Sequence, residues 1–149
     1  MEAVIFVGIQ GSGKSTFFKE QFFDTHIRIN LDMLRTKNRE KVIFEACLEA
    51  KQRLVIDKTN LTEEEREKYI SKARRYGFKV VGYYFRTDLT SAIERNNRRL
   101  GKAKVPEKAI LGSFSRLEIP QLGEGFDELF YVYIGSEDQF VVENWNNEV

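Results

Sequence analysis

A chain of 149 residues with 42% apolar and 32% charged residues has the composition of one ordinary globular domain, not of a disordered chain. Its 24 Lys and Arg against 23 Asp and Glu leave a net charge of +1, which argues against a protein that coats duplex nucleic acid but not against one that grips a single strand end. One cysteine, Cys47, and one histidine, His26, exclude an intrachain disulfide and a zinc cluster; with no leader pattern and no long apolar stretch, a reducing, cytoplasmic setting is expected.

Residues 3–7 form a short apolar run ending at a glycine-rich turn, which reads as a buried strand. A helix is expected over 14–23, with most of Phe17, Phe18, Phe22 and Phe23 in the core, and a second strand over 27–30. Residues 39–51 have helical period with Val42, Ile43, Ala46 and Ala50 on one side, and 54–57 form a third strand. The clearest helix is 62–76. Thr62 and Glu65 make a capping box, Tyr69, Ile70, Ala73 and Tyr76 keep the period, and Gly77 stands where a left-handed cap residue belongs. Residues 80–85 lack polar alternation, as a strand covered on both faces should. A helix over 88–100, capped by Thr87 or Asp88, precedes Pro106, which suits the first turn of a helix running to Leu117. A fifth strand covers 129–134, and the tail offers a short one at 140–142. Strands alternating with helices predict a three-layer α/β fold with a mainly parallel five-stranded sheet, and no Pro- or Ser-rich linker divides it, so residues 1–149 are expected to form one domain.

In such sheets ligands bind at the carboxyl ends of the strands. After the first strand comes Gly8-Ile9-Gln10-Gly11-Ser12-Gly13-Lys14-Ser15, which fits G-x-x-x-x-G-K-[ST] and runs on into Thr16. Gly8, Gly11, Ser12, Gly13, Lys14, Ser15 and Thr16 are thus the expected nucleotide-binding residues. Their backbone N–H groups would cradle the phosphates of ATP, Lys14 would reach the β- and γ-oxygens, and the Ser15 hydroxyl would hold Mg²⁺. The chain has no D-x-x-G or N-K-x-D segment for a GTPase switch, and the third strand ends Val55-Ile56-Asp57-Lys58, without the Asp-Glu pair usual in AAA- or ABC-type ATPases. A kinase acting on a separate acceptor survives best. A small-metabolite kinase for a sugar or nucleoside, and a non-catalytic ATP-binding regulatory module, remain as rivals.

Four stretches carry a resemblance. They are 8–16, then Asn30-Leu31-Asp32-Met33-Leu34-Arg35, then Asp57-Lys58-Thr59-Asn60-Leu61, and Arg95-Asn96-Asn97-Arg98-Arg99 running to Val105-Pro106. In this order the sequence resembles the 5′-kinase domain of the polynucleotide kinase family, with a P-loop kinase fold. The resemblance implies transfer of the γ-phosphoryl of ATP to the 5′-OH end of a nucleic acid. It makes Asp32 the general base, Arg35 a grip on an acceptor phosphate, Thr59 part of the acceptor site, and Arg95 and Arg99 parts of a mobile lid over about 95–106. Leu31 and Met33 stand where the phage enzyme has polar residues, and one extra residue separates Arg99 from Pro106. No D-x-D-G-[TS] motif accompanies the kinase signature, so the 3′-phosphatase activity often fused to it is expected to be missing.

Each residue also has a plainer reading. Asp32 could serve only as a helix N-cap, and Arg35, three residues on in a helical turn, could simply pair with it. Asp57 fits two roles: holding a water on Mg²⁺, or capping the turn before Thr62. In the helix after Asp88, advancing about 100° per residue gathers Ala92, Ile93, Asn96 and Leu100 around Leu89 as the packed face. Arg95 and Arg99 then share one flank, and Arg98 points further round.

Overall fold

The computed structural model describes residues 1–101 and 104–146; residues 102 and 103 of the expected lid, and 147–149 of the tail, lie outside the described residues. The first strand, β1 (Glu2–Val7), is buried beyond its first residue. Its apolar run has no polar alternation because both its faces are covered. Ala3, Ile5 and Val7 enter one core cluster and Val4 and Phe6 the other, the period of two that a strand imposes. Beside it lie β2 (Ile27–Ile29), β3 (Leu54–Ile56), β4 (Lys79–Phe85), β5 (Glu128–Ile134) and β6 (Phe140–Asn144), in the spatial order β2-β3-β1-β4-β5-β6. The first five run parallel, with Val4 opposite both Val55 and Val81. β6 turns back antiparallel to β5, setting Val142 against Val132. The sheet therefore has six strands where five were expected: the tail folds back through a tight turn in which the Gly135 amide donates to Gln139 O at 2.8 Å.

Among the described residues six α-helices accompany the sheet: α1 (Lys14–Gln21), α2 (Leu31–Leu34), α3 (Lys37–Ala50), α4 (Glu63–Arg75), α5 (Leu89–Asn97) and α6 (Glu107–Arg116). α1 stops two residues earlier than its apolar run suggested. Phe17, Phe18 and Phe22 are core, but Phe23, past the helix end, is 70% exposed. α3 starts earlier than expected, because Thr36 Oγ1 accepts from the Arg39 amide and caps it. Its phase also differs from the expected one. The buried face is Glu40, Phe44, Cys47 and Leu48, whereas Val42 is exposed. The large Phe44 and Leu48 side chains bury more apolar area than the Val-Ala stripe would, and area decides which face turns inward.

α4 behaves as its sequence says. Thr62 Oγ1 accepts from the Glu65 amide, Tyr69, Ile70 and Ala73 are buried, and Gly77 has φ 79° with the Phe78 amide bonded back to Ala73 O. The Glu65 carboxylate reaches one residue further than a capping box requires, to the Leu61 amide at 3.0 Å. α5 is capped by Asp88, not Thr87, through the Ser91 amide. It ends at Asn97, so Leu100 is 88% exposed and does not belong to the packed face. The cause is Asn96: its buried amide donates to Val105 O and accepts from the Val105 amide, which forces the chain to double back within a few residues. Pro106 is the N-cap of α6 rather than part of its first turn. Among the described residues no helix is long and apolar enough to cross a membrane.

Candidate active site

The turn between β1 and α1 is held open by its glycines. Gly11 and Gly13 have φ of 80° and 95°, the left-handed region that side chains avoid. A Cβ on Gly11 would lie 2.5 Å from the Ala92 carbonyl oxygen of α5, and one on Gly13 would lie 2.9 Å from the Phe140 ring of β6. Left-handed residues flanking Ser12 curl the backbone into an anion-holding concavity at the start of α1. Lys14 folds back over this turn, donating to Gly8 O at 2.9 Å and Ile9 O at 2.8 Å. Burial of its ammonium lowers the Lys14 pKa to about 8, with the Arg99 charge acting the same way and Asp57 opposing both. Ser15 and Thr16 are exposed at the helix start.

The ends of β2 and β3 close on this turn. The Gly8 amide donates to Thr59 O at 3.0 Å, so the segment after β3 lies against the first glycine of the loop. Asp57 is 1% exposed. The N-cap of α4 is Thr62. Asp57 Oδ2 accepts from Arg28 Nε at 2.8 Å, and the same guanidinium donates from Nη2 to Ser15 Oγ at 2.9 Å. The two residues expected to hold a metal therefore stand within reach of one cationic group.

Asp32 lies in α2, but the cap of that helix is Asn30, whose Oδ1 accepts from the Met33 amide at 2.9 Å while its Nδ2 donates to Asp57 O. The Asp32 side chain is exposed and makes no hydrogen bond or ion pair among the described residues, so neither a cap nor a pair with Arg35 accounts for it. Arg35 departs from the helical geometry assumed for it. It follows α2 with φ 76° and ψ −35°. A non-glycine residue held there stores strain of about 1–3 kcal/mol, which tends to gather at functional sites.

On the other side of the loop, Arg95 Nη1 donates to Gly11 O at 3.3 Å and to Thr87 Oγ1 at 3.2 Å. Arg99 is half-buried and near enough to Lys14 to affect its proton affinity, whereas Arg98 is exposed. The structure thus brings together the loop, Asp57, Thr59, Arg95 and Arg99, with Asp32 and Arg35 following the adjacent β2.

The sequence profile of the AAA domain family matches residues 4–120, from β1 to just past α6. The chain belongs to this P-loop family. The chain is 32% identical over 130 residues to a bifunctional polynucleotide phosphatase/kinase of the fission yeast Schizosaccharomyces pombe, covering 84% of this chain and 32% of that protein's length. Together these place it as a polynucleotide kinase-like P-loop domain. Two solved structures share the fold. One belongs to the PezAT chromosomal toxin–antitoxin system of Streptococcus pneumoniae, with a TM-score of 0.66 at 14% identity over 94% of this chain and 70% of that one. The other is Chaetomium thermophilum Kti12 in complex with ADP-AlF3, with a TM-score of 0.64 at 14% identity over 92% of this chain and 90% of that one.

Sequence reasoning missed several residues that shape this AAA domain's site. Arg28 reads as one charge in a short strand, and its two partners are distant in sequence. Arg66 is fully buried, with Nε and Nη2 on the two oxygens of Glu124 and Nη1 on the carbonyls of Asn60, Leu61 and Glu118. It thereby fixes the turn after β3, in which the buried Asn60 also donates to Phe6 O at 2.7 Å. Only the position of Arg66 on the apolar face of α4, one helical turn before Ile70, hinted at burial. His26 sits against Glu2, and Cys47 is buried in the core.

Proposed function

We propose that residues 1–149 act as one catalytic unit, which binds ATP with Mg²⁺ and transfers the γ-phosphoryl group to the 5′-hydroxyl end of a nucleic-acid strand. The observation that carries this reading is Asp32: a carboxylate in the helix that follows β2, with no capping or pairing duty among the described residues. The similarity to the fission yeast polynucleotide phosphatase/kinase supports the acceptor class.

Asp32 accepts the proton of the 5′-hydroxyl as its oxygen bonds to the γ-phosphorus. The bond from that phosphorus to the β–γ bridging oxygen breaks, and ADP leaves with the electron pair. Arg35 holds the first phosphate of the acceptor strand, and Thr59 lines the hydroxyl's approach. Lys14 leaves its carbonyl partners for the β- and γ-oxygens, while Arg95 and Arg99, in a lid over about 95–106, meet the charge that spreads over the transferred group. Ser15 Oγ and Asp57 Oδ2, both already reached by the Arg28 guanidinium, are oxygen donors of the kind Mg²⁺ takes alongside phosphate and water. When bound, Mg²⁺ supplies charge neutralisation across the phosphates.

The test is label transfer from γ-labelled ATP to 5′-OH oligonucleotides of DNA and RNA, with sugars and nucleosides as controls. Labelled oligonucleotide ends are expected. Label on a sugar or nucleoside alone would make this a small-metabolite kinase, and ATP binding without any transfer would make it a regulatory module.

A further inference from the structure

Beside the site, between α3 and α4, lies a cavity of about 270 Å³ that the kinase chemistry does not use. Its walls come from one face of each helix. α3 contributes Lys37, Glu40, Lys41 and Phe44, the spacing of three and four that keeps residues on one side. α4 contributes Lys68, Tyr69 and Lys72, and Lys58 enters from the turn after β3. Five lysines and one glutamate thus face one cavity in a chain whose net charge is only +1. Lysines four apart on one helix face repel, and here both helices carry such a pair, Lys37 with Lys41 and Lys68 with Lys72. Internal pairing offsets part of this. Lys72 is engaged by Glu45, and Lys58 by Glu40 at 3.2 Å and by the Tyr69 hydroxyl at 2.9 Å. Lys37, Lys41 and Lys68 make no ion pair among the described residues.

A second observation comes from Glu40. The residue is 6% exposed, and its Oε1 is taken by Lys58 and the Tyr69 hydroxyl. Its Oε2 is buried and has no hydrogen-bond partner among the described residues. A buried carboxylate oxygen without a donor is costly, and it marks a place for a ligand N–H or O–H. The cavity therefore combines anion-binding cations at its rim, an apolar floor of Phe44 and Tyr69, and one acceptor awaiting a donor. That is the chemistry of a nucleotide: phosphate outside, sugar and base within.

Its place in the chain says which nucleotide. Lys37 follows Arg35 by two residues, and Lys58 immediately precedes Thr59. The cavity thus adjoins the two residues assigned above to the acceptor. Resting on that reading, we propose that this pocket is a second acceptor subsite, which binds the strand downstream of its 5′-terminal nucleotide. Lys37, Lys41 and Lys68 contact backbone phosphates. Glu40 Oε2 accepts from a base amine or a sugar hydroxyl.

The experiment compares three 5′-OH acceptors, a nucleoside 3′-monophosphate, a dinucleotide and a hexanucleotide, in the wild-type protein and in the double variant Lys37→Glu/Lys41→Glu. In the wild type kcat/KM rises with acceptor length. In the variant the rise flattens, with KM for the hexanucleotide up by roughly tenfold or more and the salt dependence of its binding shallower by about 0.7 in log–log slope per lost phosphate contact. The mononucleotide, which ends at Arg35, changes within about twofold, as screened surface charges allow. DNA and RNA hexanucleotides, and one with an abasic second position, show whether Glu40 takes a sugar hydroxyl or a base amine. Equal effects on mononucleotide and hexanucleotide, or none on either, would overturn the subsite. Equilibrium binding of a fluorescent 5′-OH hexanucleotide separates the two readings. If the wild type phosphorylates no acceptor, the kinase reading fails, and the subsite still stands or falls on whether the double variant weakens that binding.

Discussion

At the scale of single residues, Lys14 carries the most definite consequence. Its ammonium is folded into the loop, and burial brings its pKa to about 8 from the usual 10.5. The lowered value means the folded, nucleotide-free protein gives up this proton between pH 8 and 10.5, while an unfolded chain would keep it; the charged form therefore weakens the empty loop at neutral pH, and stability recovers as pH rises through that window. Phosphate oxygens would reverse the balance, because an opposite charge nearby favours the cation. Nucleotide binding at pH 8 should then take up roughly half a proton. Calorimetry in buffers of different ionisation enthalpy measures this uptake. It should vanish in Lys14→Met, and release of protons, or no exchange in the wild type, would contradict the assignment. Asp32 makes a different demand. Because Asn30 and not Asp32 caps α2, Asp32→Asn should leave the melting temperature almost unchanged. A general base is worth on the order of 10²–10⁴-fold, so kcat should fall by that much while ATP affinity holds. Near-normal kcat in this variant would remove Asp32 as the base.

At the scale of elements, α5 shows both what sequence can say and where it stops. Helical phase puts Arg95 and Arg99 on one flank and Arg98 elsewhere; in the structure Arg95 reaches Gly11 O from within α5, whereas Arg99 lies past the helix end at Asn97 and acts on Lys14 from there, and Arg98, the C-cap, is exposed. The same phase fails at Leu100, because the helix end is set by Asn96 pairing with Val105, a contact that no local pattern announces. α3 fails for a related reason: an apolar stripe existed on two faces, and only tertiary packing chose the one with Phe44 and Leu48. The phosphate loop and the cap of α4 were legible because their chemistry is local. Arg28 and Arg66 were not, because their partners lie in other elements. The proposed lid gives the kinetic check. An arginine supplied to a phosphoryl transition state can be worth about 10³-fold or more. Steady-state kinetics should therefore show severe loss in Arg99→Ala, substantial loss in Arg95→Ala and little in Arg98→Ala. Equal small losses at all three would leave three solvated arginines and no lid.

At the scale of the whole molecule, the central parallel strands could be read from apolar runs, and the sixth strand hardly at all. β6 is half-buried to exposed, ends in Glu143 and Asn144, and lies at the sheet edge, where polar residues guard against further pairing and blur the pattern. Yet this strand touches the site. Phe140 packs edge-on against Phe17 of α1, with ring centres 5.2 Å apart, and its ring lies where a Cβ on Gly13 would fall. Antiparallel pairing of Phe140 with Ile134 holds it there. The phosphate loop is thus braced from α5 at Gly11 and from the tail at Gly13. Removing the Phe140 ring opens a gap beneath the loop that neighbours cannot fill without moving Gly13. Phe140→Ala should cost about 2–3 kcal/mol of stability, toward or below the lower end for Phe→Ala because the ring is only half-buried. Its distinctive effect should be on nucleotide affinity, weakened roughly tenfold, or about 1.4 kcal/mol. Phe140→Tyr keeps the ring and should restore affinity. Urea unfolding and ATP titration on the two variants separate the outcomes: lost stability with unchanged ATP affinity would make β6 a sheet edge only, and lost affinity recovered by tyrosine would make the tail a working support of the phosphate loop.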